Sequence, residues 1–231
     1  MNKLYLATVL AMTAMISACG GSEGTSQETT AATEAAVTAD GAETTGETET
    51  DAAETEADTA EDAEAASDEK PAAGVWEESV YTDPYAGIQF TLPEGWVAAD
   101  EAMMESTFGS TETTEGIYAM MALDSSTGDN VIMMYENLAE TAGILAGITD
   151  EGDYFDAIES QLSDQGLTVE GEPVEKTIGD STYLCETATM ESSGITMSQY
   201  YVIRKIDSYM FCIVFSVQDG QTLDDCLAML A

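Results

Sequence analysis

A break in composition near residue 75 limits how much of this chain can fold into a compact domain. Residues 20–70 contain 16 acidic residues, 13 alanines and 11 threonines, no aromatic residue, and no aliphatic side chain larger than that of Val37. Such a segment cannot bury enough apolar surface to offset the conformational entropy that is lost on ordering. We therefore expect residues 19–74 to be a disordered spacer. Repulsion between its like charges should keep the spacer extended.

Residues 75–231 have the composition of a globular domain. They contain both tryptophans and all five phenylalanines, and their length suits one domain. They also carry 29 of the 45 acidic residues, against three basic ones, Lys176, Arg204 and Lys205. Nucleic acid is not expected as a partner, because binding it depends on cationic side chains that displace counterions. Cations and basic peptides are attracted to such a surface, although acidity also serves solubility.

Alternation of apolar residues predicts antiparallel strands in this domain. The stretch "GIQFTLPEGW" places Ile88, Phe90 and Leu92 on one face, and its Pro-Glu-Gly sequence predicts a turn. The runs "IYAMMAL" and "NVIMMYENL" flank a loop at residues 124–129, and four more alternating runs follow. Consecutive strands with such short connections must be antiparallel.

Helical spacing occurs at three places. Residues 153–165 form an amphipathic pattern, with Asp153 as the expected N-cap and Gly166 as the end. Residues 99–108 and 222–230 are shorter candidates. The predicted fold class is α+β: an antiparallel β-sheet meander covered by helices and preceded by a disordered acidic stalk.

The first 19 residues resemble the signal peptide of bacterial lipoproteins. Lys3 is followed by a largely apolar run over residues 4–16, which is too short to span a membrane but suits a signal-peptide core. The sequence Ile-Ser-Ala-Cys that ends at Cys19 resembles a lipobox. The resemblance implies that residues 1–18 are cleaved off and that Cys19 carries a lipid on the extracytoplasmic face of the cell membrane. The alternative is an ordinary signal peptide with an incidental cysteine.

A second resemblance concerns the folded domain. The stretch "YTDPYAGIQFTLPEGW", residues 81–96, followed by a short helix, a hairpin, a helix near residue 155 and a final set of strands, resembles the PsbP/Mog1-type α/β sandwich. Phe90 and Trp96 carry most of the local match. The resemblance implies a non-catalytic binding or assembly role. No functional residue is carried over, because the histidines that some photosynthetic members use for cations have no counterpart in this sequence.

The residue types available argue against most enzyme classes. The chain contains no histidine, which removes the commonest general base, the usual serine and cysteine triads, and most zinc and copper sites. No Gly-rich phosphate loop follows a predicted strand either. On these grounds together, no catalytic residue, cofactor or metal site is assigned. Two alternatives stay open: an acid-dependent cell-wall glycan hydrolase that uses paired carboxylates, and a Ca²⁺-responsive structural module. The Ca²⁺ alternative uses four acidic residues, Asp150, Glu151, Asp153 and Asp156.

The three cysteines of the domain are expected to be reduced and buried. The predicted turns place Cys185 opposite Tyr201 and Cys212 opposite Ile203, on the same face of the sheet with one strand between them. Their separation would be roughly 10 Å given the spacing of strands, whereas a disulfide needs Cα atoms within about 7 Å. A disulfide from Cys226 to one of them is the alternative.

Together these patterns predict a membrane-anchored extracytoplasmic lipoprotein whose domain, residues 75–231, binds or assembles and does not catalyse. The expected partners are the membrane, through the lipid on Cys19, and a protein or basic peptide.

Replacing Cys19 with alanine should remove the protein from the membrane fraction or leave it unprocessed, because the thioether can no longer form. Fractionation of cells followed by immunoblotting measures this, with the wild-type protein as the control. A mature-size band that persists in the membranes would contradict the lipid assignment.

Overall fold

The computed structural model describes residues 70–141, 145–192, 194–218 and 220–231. The predicted signal peptide, Cys19 and the predicted spacer up to residue 69 lie outside the described residues. Within the described ranges, no helix is long and apolar enough to cross a membrane.

The strands of the described residues form two sheets, and every strand pairing in them is antiparallel. The smaller sheet contains β1 (Val75–Glu77), β2 (Val80–Asp83) and β3 (Ile88–Thr91). The larger sheet contains β4 (Trp96–Ala98), β5 (Gly116–Asp124), β6 (Asn130–Asn137), β7 (Thr168–Val169), β8 (Val174–Ile178), β9 (Ser181–Ser192), β10 (Ile195–Ile206) and β11 (Tyr209–Gln218). Its order is β4-β5-β6-β11-β10-β9-β7, and β8 also pairs with β9.

Three helices form in the described residues: α1 (Glu101–Phe108), α2 (Glu151–Asp164) and α3 (Leu223–Leu227). The long helix α2 begins earlier than predicted, because the side chain of Asp150, and not that of Asp153, is the N-cap. The Asp150 carboxylate accepts the backbone N–H of Asp153 at 2.9 Å. The predicted end is confirmed, since Gly166 follows the helix with a φ of 84° that suits glycine.

The larger sheet is buried on both faces. We call the face that packs against the smaller sheet and α3 the sheet-side face, and the face that packs against α1 and α2 the helix-side face. The sheet-side core includes Phe90, Trp96, Met133, Tyr135, Val202, Phe211, Phe215 and Cys226. The helix-side core includes Met104, Met134, Tyr154, Phe155, Ile158, Leu162, Tyr201, Ile203 and Cys212. Burial of this kind contributes about 1.5–3 kcal/mol for each large apolar side chain.

The C-terminal residues return to the smaller sheet. Gln89 donates its N–H to the carbonyl of Ala231 at 2.8 Å, and Ala231 donates to the carbonyl of Gln89 at 2.9 Å. Thr91 donates to the carbonyl of Met229 at 2.8 Å. The helix predicted over residues 222–230 therefore ends at Leu227, because the chain beyond it pairs with β3.

The antiparallel sheet covered by helices is confirmed, but a simple meander is wrong in two respects. β1 to β3 form a separate sheet that covers the larger one. In the larger sheet, β6 pairs with β11 and not with its successor in sequence, β7. Both strands are almost continuously buried, and such strands belong at the centre of a sheet that is covered on both faces.

Candidate functional site

The positions of the cysteines correct the predicted register. Cys185 lies opposite Val202 and Cys212 lies opposite Ile203. Because these partners are adjacent on β10, the two cysteines lie on opposite faces of the sheet, and the prediction of a shared face is wrong. The β9–β10 pairing differs from the predicted one by a single residue, which exchanges the faces of a whole strand. Both cysteines and Cys226 are buried and unpaired.

Asp83, in the segment that carries the family resemblance, is a buried carboxyl at the end of β2. Its Oδ1 atom accepts the backbone N–H groups of Tyr85 and Ala86, each at 3.1 Å, and so fixes the turn into β3. Its Oδ2 atom has no hydrogen-bond partner. Burial raises the pKa of Asp83, while the Ala86 N–H opposes the shift. The Tyr135 hydroxyl also opposes it, but lies outside hydrogen-bonding geometry.

The surroundings of Asp83 hold the smaller sheet in place. The Arg204 guanidinium donates from Nη2 to the Ala86 carbonyl at 3.0 Å and lies 5.2 Å from the centre of the Tyr183 ring. The rings of Tyr85 and Tyr135 meet edge to face at 5.5 Å. These contacts explain the motif by packing and turn geometry, since they fasten the β2–β3 turn to the larger sheet.

Glu136 is a fully buried carboxyl on the helix-side face. It lies on β6 between Gly116 of β5 and Met210 of β11. Both of its carboxyl oxygens lack a hydrogen-bond partner. Burial raises its pKa to about 7, and the nearby Tyr154 hydroxyl opposes this shift without reaching hydrogen-bonding geometry. The strands pack so closely here that a Cβ atom on Gly116 would lie 2.2 Å from the Tyr135 carbonyl oxygen.

The thiols of the domain are not poised for nucleophilic chemistry. Cys212 donates from Sγ to the Tyr154 hydroxyl oxygen at 3.5 Å, and burial, followed by the charge of Glu136, raises the pKa of Cys212 well above its usual value. Burial raises the pKa of Cys185 to about 11 and that of Cys226 to about 12. A reactive cysteine needs the thiolate, which these environments disfavour.

Glu186 is a second buried carboxyl on the helix-side face. It lies on β9, 7% exposed, and its Oε2 atom has no hydrogen-bond partner. Burial raises its pKa to about 7, and the charges of Glu159 and Asp156 on α2 act in the same direction. Tyr201, its neighbour on β10, donates its hydroxyl to Gln199 at 2.6 Å and is thereby engaged elsewhere.

Three of the four acidic residues proposed for Ca²⁺ make hydrogen bonds at the start of helix α2. Asp150 is the N-cap, and Asp153 accepts the N–H and hydroxyl of Thr149. Glu151 accepts the backbone N–H of Lys205 at 2.6 Å. Across the described ranges, no group of three or more Cys, Asp or Glu residues is placed to hold a metal ion. Acidic side chains are favoured at this position by the positive end of the helix.

Glu136 and Glu186 are the ionisable groups with the most unusual surroundings, yet they cannot act as a glycosidase pair. Two strands, β11 and β10, separate β6 from β9. At roughly 4.8 Å between neighbouring strands, the two residues lie about 14 Å apart across the sheet. The carboxyl pairs of glycosidases lie about 5–9.5 Å apart. This geometry counts against the hydrolase alternative for these two residues.

The sequence patterns did not single out Glu136 or Glu186. The signal that could have identified them is a charge in phase with the buried residues of a strand, as in "NVIMMYENL" for Glu136 and "STYLCETATM" for Glu186. Abundant surface carboxylates hid this signal.

Comparison with known proteins gives distant likenesses. No protein-family model and no curated protein sequence matches the chain. Among solved structures, a Bacteroides thetaiotaomicron protein aligns at 13% identity and a TM-score of 0.37, covering 66% of this chain and 47% of its own length. LpqN of Mycobacterium tuberculosis, involved in cell envelope biogenesis, aligns at 13% identity and a TM-score of 0.34, covering 62% and 75%. The Ran-binding protein Mog1p of Saccharomyces cerevisiae aligns at 12% identity and a TM-score of 0.36, covering 63% of this chain and 78% of its own length. At these scores, no function is transferred.

Replacing Glu136 with glutamine should flatten the pH dependence of stability. The folded state holds a proton on Glu136 up to about pH 7, whereas the unfolded state releases it near 4.5. The contribution of Glu136 to the free energy of unfolding is therefore complete below its pKa in the unfolded state. That contribution is lost as the pH rises through its pKa in the folded state, and the free energy falls by at most about 1.4 kcal/mol per pH unit. Urea unfolding at pH 5, 6, 7 and 8 measures the slope.

Glutamine cannot ionise, so the variant should lose only the part of the slope that Glu136 supplies and retain that of Glu186. Glu191→Gln, an exposed change on β9, is the control and should keep the wild-type slope. Equal slopes in Glu136→Gln and the wild type would show that Glu136 titrates normally.

Proposed function

We propose that this chain is a lipid-anchored extracytoplasmic binding protein whose folded domain recognises a cationic partner and catalyses no reaction. The observation that carries the proposal is the excess of surface carboxylates that no basic side chain compensates. The partner class with the matching charge is a basic peptide or a basic segment of a protein.

The three basic residues of the domain do little to neutralise its surface. Lys176 is paired with Asp224 at 2.7 Å, and Arg204 is held over Tyr183 by the contacts described above. Lys205 is exposed. The 29 acidic residues of the domain greatly outnumber these three. Those at the surface present a negative field that attracts cations over about one Debye length, 8–10 Å at physiological salt.

A binding role without catalysis agrees with the chemistry of the described residues. Burial raises the pKa values of the three thiols, and the two buried glutamates are too far apart to share a substrate atom. We place the domain in the PsbP/Mog1 type, which the stretch at residues 81–96 supports: it forms β2, β3 and the turn to β4.

The anchor is proposed from the sequence before residue 20. In this proposal the thiol of Cys19 in the lipobox accepts the lipid, and the acidic segment that follows links it to the domain. A single acyl chain binds membranes only marginally, so stable anchoring depends on the second chain that a diacylglyceryl group provides.

The full chain should bind a lysine-rich peptide at low ionic strength and lose affinity as salt is added, because screening weakens contacts between exposed charges. Calorimetry at 20 and 300 mM salt measures this. A glutamate-rich peptide of equal length is the control and should not bind.

A synthetic peptide of residues 20–70 tests whether the spacer alone accounts for binding. We expect it to bind the lysine-rich peptide more weakly than the full chain does. Equal affinity for the two would assign the binding to the spacer, and no binding by the full chain would refute the proposed function.

A further inference from the structure

Glu186 is a buried carboxyl on β9, a strand that helix α2 contacts. Asp156 and Glu159 are exposed on α2, and their spacing of three residues places them on the same side of the helix. Both act electrostatically on Glu186, which lies beneath the helix on β9. The Oε2 atom of Glu186 is buried and has no hydrogen-bond partner.

The described groups around Glu186 give it no compensating positive charge. From α2 it is faced by Asp156 and Glu159, and from β10 by Tyr201, whose hydroxyl is donated to Gln199. Glu170, at the end of β7, accepts the hydroxyl of Thr189 on the sheet-side face of β9. A buried carboxyl normally has a hydrogen-bonding or charged partner, so this one is left incomplete by the chain itself.

We propose that Asp156, Glu159 and Glu186 form a recognition site for a single cationic side chain, the ammonium of lysine or the guanidinium of arginine, in a basic partner segment. The inference rests on the proposed function and specifies which part of the acidic surface selects the partner. Lysine and arginine suit such a site by their chemistry, because their long stems pack on apolar surface while the charged end extends toward a carboxylate. The ligand is not a metal ion, since the described acidic groups do not converge as metal ligands do.

Binding at this site is coupled to a proton. Burial and the two acids of α2 hold the pKa of Glu186 near 7, so the free protein carries a proton there for part of the time at neutral pH. An incoming cation favours the ionised form and expels that proton. Affinity should therefore rise with pH between 6 and 8, in addition to any effect of the exposed carboxylates.

Calorimetry of the full chain with the lysine-rich peptide, at pH 7 in two buffers of different ionisation enthalpy, counts the protons released. An arginine-rich peptide of equal length distinguishes the two cations. We expect the wild type to release about half a proton, given the pKa of about 7. Glu186→Gln should abolish this release and weaken binding at pH 8 about tenfold, the size expected for one charge-assisted contact.

Glu191→Gln is the matched control, since it removes one exposed carboxylate from the same strand. It should keep the proton release and nearly all of the affinity. If the peptide binds but Glu186→Gln releases the same number of protons as the wild type, the site is refuted while the acidic surface as a binding surface stands. If the peptide does not bind the wild type, the proposed function itself fails.

A second variant covers the case in which Glu186→Gln does not fold. The double change Asp156→Asn and Glu159→Gln alters exposed positions, and Asp164→Asn on the same helix is its control. The double variant should weaken binding and reduce proton release at pH 7, because loss of two negative neighbours lowers the pKa of Glu186. Unchanged affinity and proton release in the double variant would contradict the site.

Discussion

The pairing of β6 with β11 is the contact on which the rest of the domain depends. It joins the strands that precede α2 to those that follow it and creates a sheet that is covered on both faces. On the sheet-side face it brings Met133 opposite Ile213 and Tyr135 opposite Phe211. On the helix-side face it brings Met134 opposite Cys212. Because side chains alternate between faces, this one register determines which groups lie under α2 and which lie under the smaller sheet.

Strand register also explains the two unusual carboxyls: the β6–β11 pairing places Glu136, and the β9–β10 pairing places Glu186. Glu136 and Glu186 stand at positions that point toward α2, a helix with acidic residues in its first turn and along its exposed side. Neither carboxyl finds a cation in the described residues, and burial raises the pKa of each toward neutrality. The two differ in their surroundings: Glu136 is fully buried near the Tyr154 hydroxyl, whereas Glu186 is 7% exposed and is affected by the charges of Glu159 and Asp156 on α2. Both carboxyls should make stability depend on pH, and Glu186 is the one that we propose also responds to a ligand.

Local patterns predicted much of this fold, and long-range pairing was the part that they could not supply. Alternation placed Ile88 and Phe90 on one buried face, and helical spacing located α2 and its end at Gly166. The predicted N-cap of α2, Asp153, was wrong because Asp150, one turn earlier, satisfies the same sequence pattern. The prediction that Cys185 and Cys212 share a face was wrong because an error of one residue in a hairpin register moves a side chain to the opposite face. Glu186 was missed because its position in phase with the buried residues of β9 is a weak signal in a sequence with so many surface carboxylates.

The most direct test of the account is the titration of the Glu136 and Glu186 side-chain carboxyl carbons by ¹³C NMR, with and without the lysine-rich peptide. In the free protein, both should titrate near 7, well above the usual value for glutamate. On addition of the peptide, the titration midpoint of Glu186 should fall by about one pH unit or more, as expected for a nearby opposite charge. The midpoint of Glu136 should stay unchanged. A midpoint of Glu186 that is the same with and without bound peptide would contradict the account.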